Sequence, residues 1–382
     1  MSPEPADPHF PKPRQRRRWG AQRKTRDRLV FDAVAGALAA ALVSVWTASI
    51  VVAYRDRGAG AAASVPAPVS RVVSASLTDP RAKSTAYLED AVGGGYLNPL
   101  RGRSGKLRAV FRTPGEDLGA EEADEHFAGV VGGGGGGEVL EQNVAPAQPG
   151  IYKLAIELGK ARRPVADLQL VTLVPFAEKK EDRIGLYYLG SWPYEGRGTP
   201  RSKSYANPSG FVEVTRQNKD TPVSDHFQLG QFLTKDQYDV WPKYVIVEEN
   251  LLDKLELTVQ ELQKEGVRVD HVHVMSGFRT PRYNKGGGNT GGRANLSRHM
   301  YGDAADVYVD NDRDGAPDDI TGDGRVDAAD AERFARAAER VEANQPALVG
   351  GIGIYKACCG HGPFTHIDTR GYRARWRGTG SG

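Results

Sequence analysis

Two histidines and one aspartate near the C-terminal end are the residues whose types and spacing could do metal chemistry. His299 and Asp306 lie in SRHMYGDAADV, Ser297 to Val307, and His366 lies far downstream in FTHID, Phe364 to Asp368. Catalytic zinc takes three protein ligands from imidazole nitrogens and carboxylate oxygens, and its fourth position holds a water that ionises near neutral pH. These residues therefore predict a zinc site, of the kind that a hydrolase uses.

The residues between the first two ligands are typical of a turn that leads into a strand. Gly302 permits a bend that a side chain would hinder, and small Ala304 and Ala305 permit close packing. The next residues, VYV at 307–309, favour β-structure. We therefore expect one loop and one strand to aim His299 and Asp306 at the same point.

Further motifs surround this metal segment in a fixed order. They are HFQLGQFL at 226–233, SGFRTPRYN at 276–284, GGIGIY at 350–355, and FTHIDTR followed by a terminal RARW that ends at Trp376. Together with the spacing SxHxxGxAxD, they resemble the M15 family of zinc peptidases. That family comprises D-Ala-D-Ala carboxypeptidases and murein endopeptidases, and it shares its core with the Hedgehog signalling domain. Five ordered motifs are a far more specific signal than one.

The resemblance implies a fold, a substrate and a functional arginine. It implies an α+β catalytic domain with an antiparallel sheet over residues 210–382, with zinc held by His299, Asp306 and His366. It also implies cleavage of peptidoglycan stem peptides or cross-links that contain D-amino acids, of carboxypeptidase or endopeptidase type. Arg279 stands at the arginine of the family's SGYRSPxYN segment, where it would bind an oxyanion or a terminal carboxylate. The alternative for Arg279 is a surface arginine at a strand end.

The chain departs from the family at the general base. Many relatives carry an acidic residue three positions before the last histidine ligand, or a histidine two before it, and here Pro363 and Phe364 stand there. His361 could serve from the CCGHGP loop. Asp368 could serve as well, or could instead orient His366 from the same strand face. If no base is present, the alternative function is a non-catalytic, zinc-containing module for wall binding or signalling.

A second metal signal lies in an insertion at 310–344 of the predicted catalytic domain. DITGDGRVDAAD, residues 319–330, matches a calcium loop with Gly324 at the sharp turn and a helix after it, and resembles half of a dockerin repeat. DNDRDG before it adds an incomplete acidic loop. A solvated acidic insertion is the alternative. The predicted oxygen ligands are the side chains of Asp319, Thr321, Asp323, Asp327 and Asp330 and the backbone carbonyl of Arg325.

The N-terminal end predicts a membrane anchor. Residues 1–28 hold nine Lys or Arg against three acidic residues, and residues 33–53 of the predicted anchor segment 29–54 form 21 uncharged, mostly apolar positions. Such a run spans a hydrocarbon core of about 30 Å, and the positive-inside rule keeps the basic tail in the cytoplasm. A cleaved signal peptide is the alternative, and both place the C-terminal bulk outside the cytoplasmic membrane. Because the basic cluster abuts this span, we expect no nucleic-acid binding.

Two further segments complete the organisation of the 382 residues, whose 39% hydrophobic content permits a packed core. Residues 55–148 are predicted as a flexible linker, in which 107–114 could form a strand. Residues 149–200 are predicted as a small β-sandwich-like module, in which Tyr187, Tyr188 and Trp192 are core residues rather than a sugar-binding platform. A helix is predicted over 244–265. His271 and His273 are predicted to form the polar face of a strand, since no third ligand stands at a suitable spacing.

Cys358 and Cys359 are the chain's two cysteines. They are interpreted as small residues of a loop at the rim of the site, with a bond between the two neighbours as the alternative.

Overall fold

The computed structural model describes residues 108–117, 126–131, 144–158, 161–196, 198–287, 293–358 and 360–378. The basic tail and the predicted membrane anchor lie outside these residues. No helix among the described residues is long and apolar enough to cross a membrane.

The described residues form a mixed α and β structure with small sheets and three α-helices. The helices are α1 (Glu249–Lys264), α2 (Pro281–Gly286) and α3 (Ala328–Asn344). The strands in chain order are β1 (Arg108–Arg112), β2 (His126–Val131), β3 (Gly150–Leu158), β4 (Ala161–Thr172), β5 (Val174–Pro175), β6 (Arg183–Ile184), β7 (Tyr187–Tyr188), β8 (Gly210–Val214), β9 (Lys243–Val245), β10 (Val272–Ser276), β11 (Ala304–Val309), β12 (Gly351–Tyr355), β13 (Phe364–Asp368) and β14 (Ala374–Gly378).

A five-stranded sheet in the order β10-β11-β13-β12-β14 carries the predicted metal ligands. All of its neighbouring strands are antiparallel except β12 and β14. Because side chains alternate along a strand, Ala305, Val307 and Ile367 point into the core, and all three are buried. The opposite face carries Asp306 and His366, which are direct cross-strand partners on β11 and β13.

Two helices cover the core side of this sheet. Helix α1 buries its apolar side chains at three- and four-residue steps and packs against α3, which in turn lies on β12 and β13. The prediction that this helix starts at residue 244 is wrong, because Tyr244 and Val245 pair with β8 as part of β9. The helix predicted after residue 330 is present as α3, but it begins three residues earlier, at Ala328, because Asp327 and Asp330 form a reciprocal capping box there.

A four-stranded sheet in the order β1-β4-β3-β2 precedes the five-stranded sheet in the chain. The predicted strand at 107–114 is confirmed as β1, but β1 and β2 both fall in the predicted linker 55–148, which is therefore wrong for those residues. The reason is long-range pairing: β1 runs parallel to β4, with Val110 opposite Leu170. Short strands whose partner lies about sixty residues away leave little local signal.

The region 149–200 shares its core with the sheet that holds the metal ligands. Tyr187 and Trp192 are buried, as predicted, in the same hydrophobic cluster as Phe211 and Val307. The indole Nε1 of Trp192 donates a hydrogen bond to the carbonyl oxygen of Met300, at 2.9 Å, next to the predicted ligand His299. Residues of the predicted β module thus pack against the five-stranded sheet in one shared core.

An ion pair between His226 and Glu256 joins the segment before the site to helix α1. Its protonation makes the stability of the protein depend on pH. The backbone N–H and Nδ1 of His226 donate to the two carboxylate oxygens of Glu256, at 2.8 and 2.7 Å. The hydrogen bond to Glu256 raises the pKa of His226 against the opposing effect of burial. A raised folded-state pKa contributes stability that is complete below the unfolded value of about 6.5 and disappears as the pH rises through the folded value.

We expect the free energy of unfolding to fall as the pH rises through the raised pKa of His226. His226→Gln keeps a hydrogen-bond donor but cannot gain a charge, so it should lower stability by about 1–2 kcal/mol near pH 6 and flatten this part of the profile. Urea unfolding of both proteins between pH 5 and 9 measures the effect. An unchanged pH slope in the variant would refute the assignment.

Candidate metal centre

The structure brings the three predicted zinc ligands together in one buried group. His299, Asp306 and His366 each offer a ligand atom, and these atoms all lie within 4.8 Å of one another. His366 Nδ1 lies 2.8 Å from Asp306 Oδ1, and His299 Nε2 lies 3.3 Å from the same oxygen. The two nitrogens are 3.2 Å apart. Residues 67 positions apart along the chain therefore converge on one point.

The hydrogen bonds on the far sides of the two rings decide which nitrogens face that point. His299 Nδ1 lies 2.7 Å from the carbonyl oxygen of Gly277, and His366 Nε2 lies 3.0 Å from Asp368 Oδ2. Because both oxygens only accept, the ring nitrogens beside them carry the protons. The lone pairs of His299 Nε2 and His366 Nδ1 are thus directed at the Asp306 oxygen. Two imidazoles so oriented and one carboxylate fit a zinc site with an open fourth position.

Local backbone structure positions His299. The residue lies in a 3-10 helix, Arg298–Tyr301, that ends at Gly302 in the left-handed region, with φ at +72°. A Cβ on Gly302 would also lie 2.6 Å from the backbone of Ile246. The prediction that Gly302 permits a bend that side chains hinder is therefore confirmed, and the chain turns there directly into β11.

Burial and neighbouring charges shift the pKa values of the three residues in different directions. Burial, followed by the nearby Arg279 charge, lowers the pKa of His299 to about 4, so this imidazole is neutral at pH 7. Burial opposes a charge on His366, but hydrogen bonds to Asp306 and Asp368 raise its pKa. Burial likewise opposes a charge on Asp306, yet His299 and Arg279 hold its pKa well below the usual range.

Arg279 contacts the metal group directly, and two of its nitrogens already donate hydrogen bonds within the protein. Its Nη2 donates to Asp306 Oδ2 at 2.6 Å, and its Nε donates to Ser276 Oγ at 2.7 Å. The side chain is mostly buried, which excludes the alternative of a surface arginine at a strand end. In this arrangement Arg279 fixes one oxygen of the ligand carboxylate and leaves Oδ1 for the metal.

The contacts of Asp368 favour the second of its two predicted roles. It is fully buried and contacts His366 on the Nε2 side, away from the nitrogen that faces the other two residues of the group. Its oxygens also accept from the backbone N–H of Gly351, at 2.7 Å, and from Arg370. A carboxylate held in this way can orient His366, and its role as a base stays a prediction.

His361 lies outside the metal group. Its Nδ1 donates to the carbonyl oxygen of Gly362 at 2.8 Å, and its ring meets Phe364 edge to face with centroids 5.0 Å apart. Its role as a base stays a prediction. The neighbouring Cys358 is disulfide-bonded. The predicted bond between the two neighbours involves Cys359, which lies outside the described residues, so that alternative stays a prediction.

A groove of about 900 Å³ runs along the sheet face beside the metal group. Its floor includes Tyr308, two residues beyond Asp306 on β11, and its rim includes Lys235, His361 and Val326. None of the described residues that line it is acidic. Burial, followed by the charge of Arg279, lowers the pKa of Lys235, which places this ammonium close to the metal group. The groove therefore suits a ligand that carries negative charge.

Comparisons of the chain with protein-family models, with curated proteins and with solved structures find no match. The resemblance to the zinc peptidases therefore rests on the sequence motifs.

Two aromatic residues of the site had no predicted role. Trp376 on β14 lies against His366, with ring centroids 5.1 Å apart, and its Nε1 donates to the hydroxyl of Tyr355 at 2.8 Å. Gly353 makes room for it, since a Cβ there would lie 2.4 Å from the indole. Burial raises the pKa of Tyr355, with a contribution from Asp306, so its hydroxyl keeps its proton near the metal group. Both residues stand in quoted motifs, GGIGIY and RARW, which were the available signal.

The predicted calcium loop has the expected turns but does not gather its carboxylates. Asp319 accepts from the backbone N–H groups of Gly322 and Gly324, both at 2.7 Å. Asp330 accepts from Ile320, Thr321 and Asp327. Among the described acidic residues of 319–330, no three carboxylates lie close enough to form a metal group. The calcium site, with Thr321, Asp323, Asp327 and the carbonyl of Arg325 as further ligands, stays a prediction.

Asp368→Asn tests how the metal ligand is oriented. The amide can present N–H to His366 Nε2 and favour the wrong tautomer, so we expect zinc affinity to fall by about 10- to 100-fold. Competition with a chromophoric chelator measures it. Asp303→Asn is the matched control: Asp303 is also buried and paired with an arginine, Arg298, but does not contact His366. Equal losses in both variants would show that the effect is on general stability.

Proposed function

We propose that this protein is a zinc-dependent peptidase with a Hedgehog-like and D-Ala-D-Ala carboxypeptidase-like catalytic fold. It would cleave peptidoglycan stem peptides or cross-links that contain D-amino acids, outside the cytoplasmic membrane. The single observation that carries the proposal is the convergence of His299 Nε2, His366 Nδ1 and Asp306 Oδ1, with both ring tautomers set for metal binding.

The surrounding residues support catalysis rather than a closed structural site. Zinc held by three ligands would supply a Lewis acid and activate water for attack on a peptide carbonyl. Arg279 holds Asp306 in place and brings positive charge to the position where negative charge develops. Trp376 and Tyr355 cover one side of the group and exclude water there, which strengthens each electrostatic contact.

The groove supports the substrate class. Stem peptides of peptidoglycan carry free carboxylates, and the described lining of the groove offers Lys235 and two histidines but no acidic side chain. Lys235 and Arg279 lie near the same end, where a terminal or side-chain carboxylate would be held. The location outside the membrane rests on the sequence of residues 1–53, through the basic tail and the apolar run.

Cleavage of purified muropeptides tests the proposal. We expect the zinc-loaded full chain to change the muropeptide profile in mass spectrometry, and a chelator to abolish the change. His299→Ala should reduce cleavage to background because it removes one of three zinc ligands. His226→Gln is the control, since it alters a histidine outside the metal group. A wild-type protein that binds zinc and leaves every muropeptide intact would refute the proposed activity.

The alternative is a zinc-containing module that binds the wall or a signalling partner without turnover. One observation favours it: Pro363 and Phe364 stand where relatives place a base, and Phe364 is buried under Tyr355 with ring centroids 4.4 Å apart. Retained binding to peptidoglycan without cleavage in the same experiment would select it.

Tyr355→Phe separates catalysis from metal binding. The variant keeps the aromatic stack on Phe364 and loses only the hydroxyl, whose proton can stabilise a developing oxyanion. We expect kcat to fall by about 10²-fold with the zinc content unchanged. Tyr308→Phe is the matched control, since that hydroxyl donates to Gly315 on the groove wall. Equal rates for wild type and Tyr355→Phe would remove Tyr355 from the mechanism.

A further inference from the structure

A second group of metal-ligating side chains lies on the same sheet face, away from the first. His271, His273 and Asp310 each offer a ligand atom, and these atoms lie within 4.8 Å of one another. The sequence had suggested a polar strand face for the two histidines because no third partner stood at a suitable spacing. The structure supplies that partner from the far end of β11.

Strand pairing explains why the three meet. His273 on β10 lies opposite Tyr308 on β11, and the backbone N–H of Asp310 donates to the carbonyl oxygen of His271 at 3.1 Å. Alternation then places both histidines and Asp310 on one face. The ring of Tyr308 stacks on His273, with centroids 4.8 Å apart and planes 5° from parallel. Asn311 Oδ1 accepts from the backbone N–H of Asp270 at 2.7 Å and fixes the other end.

Asp310 is the observation that points to a cation. Its side chain is 1% exposed, and its Oδ1 has no hydrogen-bond partner. The other oxygen accepts from Gly315 at 3.2 Å and lies 3.4 Å from His273 Nδ1. No lysine or arginine in the described part of the chain forms an ion pair with it. A buried carboxylate with an unsatisfied oxygen and no cation is costly, and a bound metal ion removes that cost.

The donor set selects the class of ion. Two imidazoles and a carboxylate suit zinc and neighbouring transition metals, whereas calcium and magnesium prefer oxygen ligands alone. Asp312 and Asp314 also come near Asp310, but both are exposed and accept from N–H groups of their own loop. They therefore offer a weaker, calcium-like alternative on the other side of the same carboxylate.

We propose that His271, His273 and Asp310 bind a second divalent transition-metal ion that fixes the wall of the groove. Asp310 lies one residue beyond the end of β11 and four positions after Asp306, which is about 13 Å in extended chain. The ion is therefore too distant to share a reaction with the first site, since paired catalytic ions stand about 4 Å apart. The second ion would instead fix the shape of the groove, because His273, Gly315 and Pro317 all line it. The site does not depend on the proposed peptidase activity.

Metal stoichiometry of the full chain tests the proposal. After chelation and equilibrium dialysis against zinc, we expect two bound equivalents in wild type and one each in His299→Ala and in His273→Gln. His271→Gln should behave as His273→Gln, so a folding failure of one variant leaves the other. Asp312→Asn is the matched control and should keep both equivalents. One bound equivalent in wild type, or two bound equivalents in both His271→Gln and His273→Gln, would overturn the proposal.

Hydrogen exchange supplies the second measurement. Zinc should slow exchange of residues 311–318 in His299→Ala, which keeps only the second site, and should not do so after His273→Gln is added. If Asp312→Asn loses the second zinc equivalent while His271→Gln and His273→Gln both keep it, the ion belongs to the acidic loop and the proposed site is rejected. Absence of cleavage with two bound equivalents would reject the peptidase and leave this site standing.

Discussion

The buried carboxylate of Asp368 is the interaction on which the arrangement of the metal group depends. It fixes the tautomer of His366, and Arg370 neutralises it from the other side. The backbone carbonyl of the same residue accepts from Lys254 at 2.7 Å, and Lys254, which is fully buried, also donates to Glu342 at 2.6 Å. Helices α1 and α3 are thus linked to the strand that carries the ligand. A buried charge network of this kind is costly to break, so it holds one geometry.

The convergence of His299, Asp306 and His366 could be predicted from sequence because the geometry of the first two is local. Asp306 lies seven positions after His299, and a turn that leads into a strand leaves few ways to place the two side chains. His366 joins them through register alone, as the cross-strand partner of Asp306. The role of Asp368 could be narrowed to two choices from strand alternation, but only the positions of Gly351 and Arg370 favour one of them.

The predictions that were wrong concern strand pairings between distant segments, which local sequence patterns do not reveal. β1 and β2 lie in a stretch of low apolar content, and their partners β3 and β4 come later in the chain. Tyr244 and Val245 fit the helical spacing of the residues that follow, but they pair with β8 and form part of strand β9. The calcium loop at 319–330 stays a prediction: its spacing supplies the oxygens, and backbone N–H groups of the loop donate to those of Asp319 and Asp330.

The same sheet face explains how one fold can hold two sites with different tasks. Around His366 it is closed by Trp376 and Tyr355, so charges there act in a dry environment and Arg279 must balance Asp306. Four residues further along β11, the face opens into the groove, and Asp310 has no such arginine. Two buried carboxylates, Asp306 within β11 and Asp310 just beyond it, both need positive charge nearby. At Asp306 the protein provides Arg279, and at Asp310 the described structure offers two imidazoles that could share an ion with it.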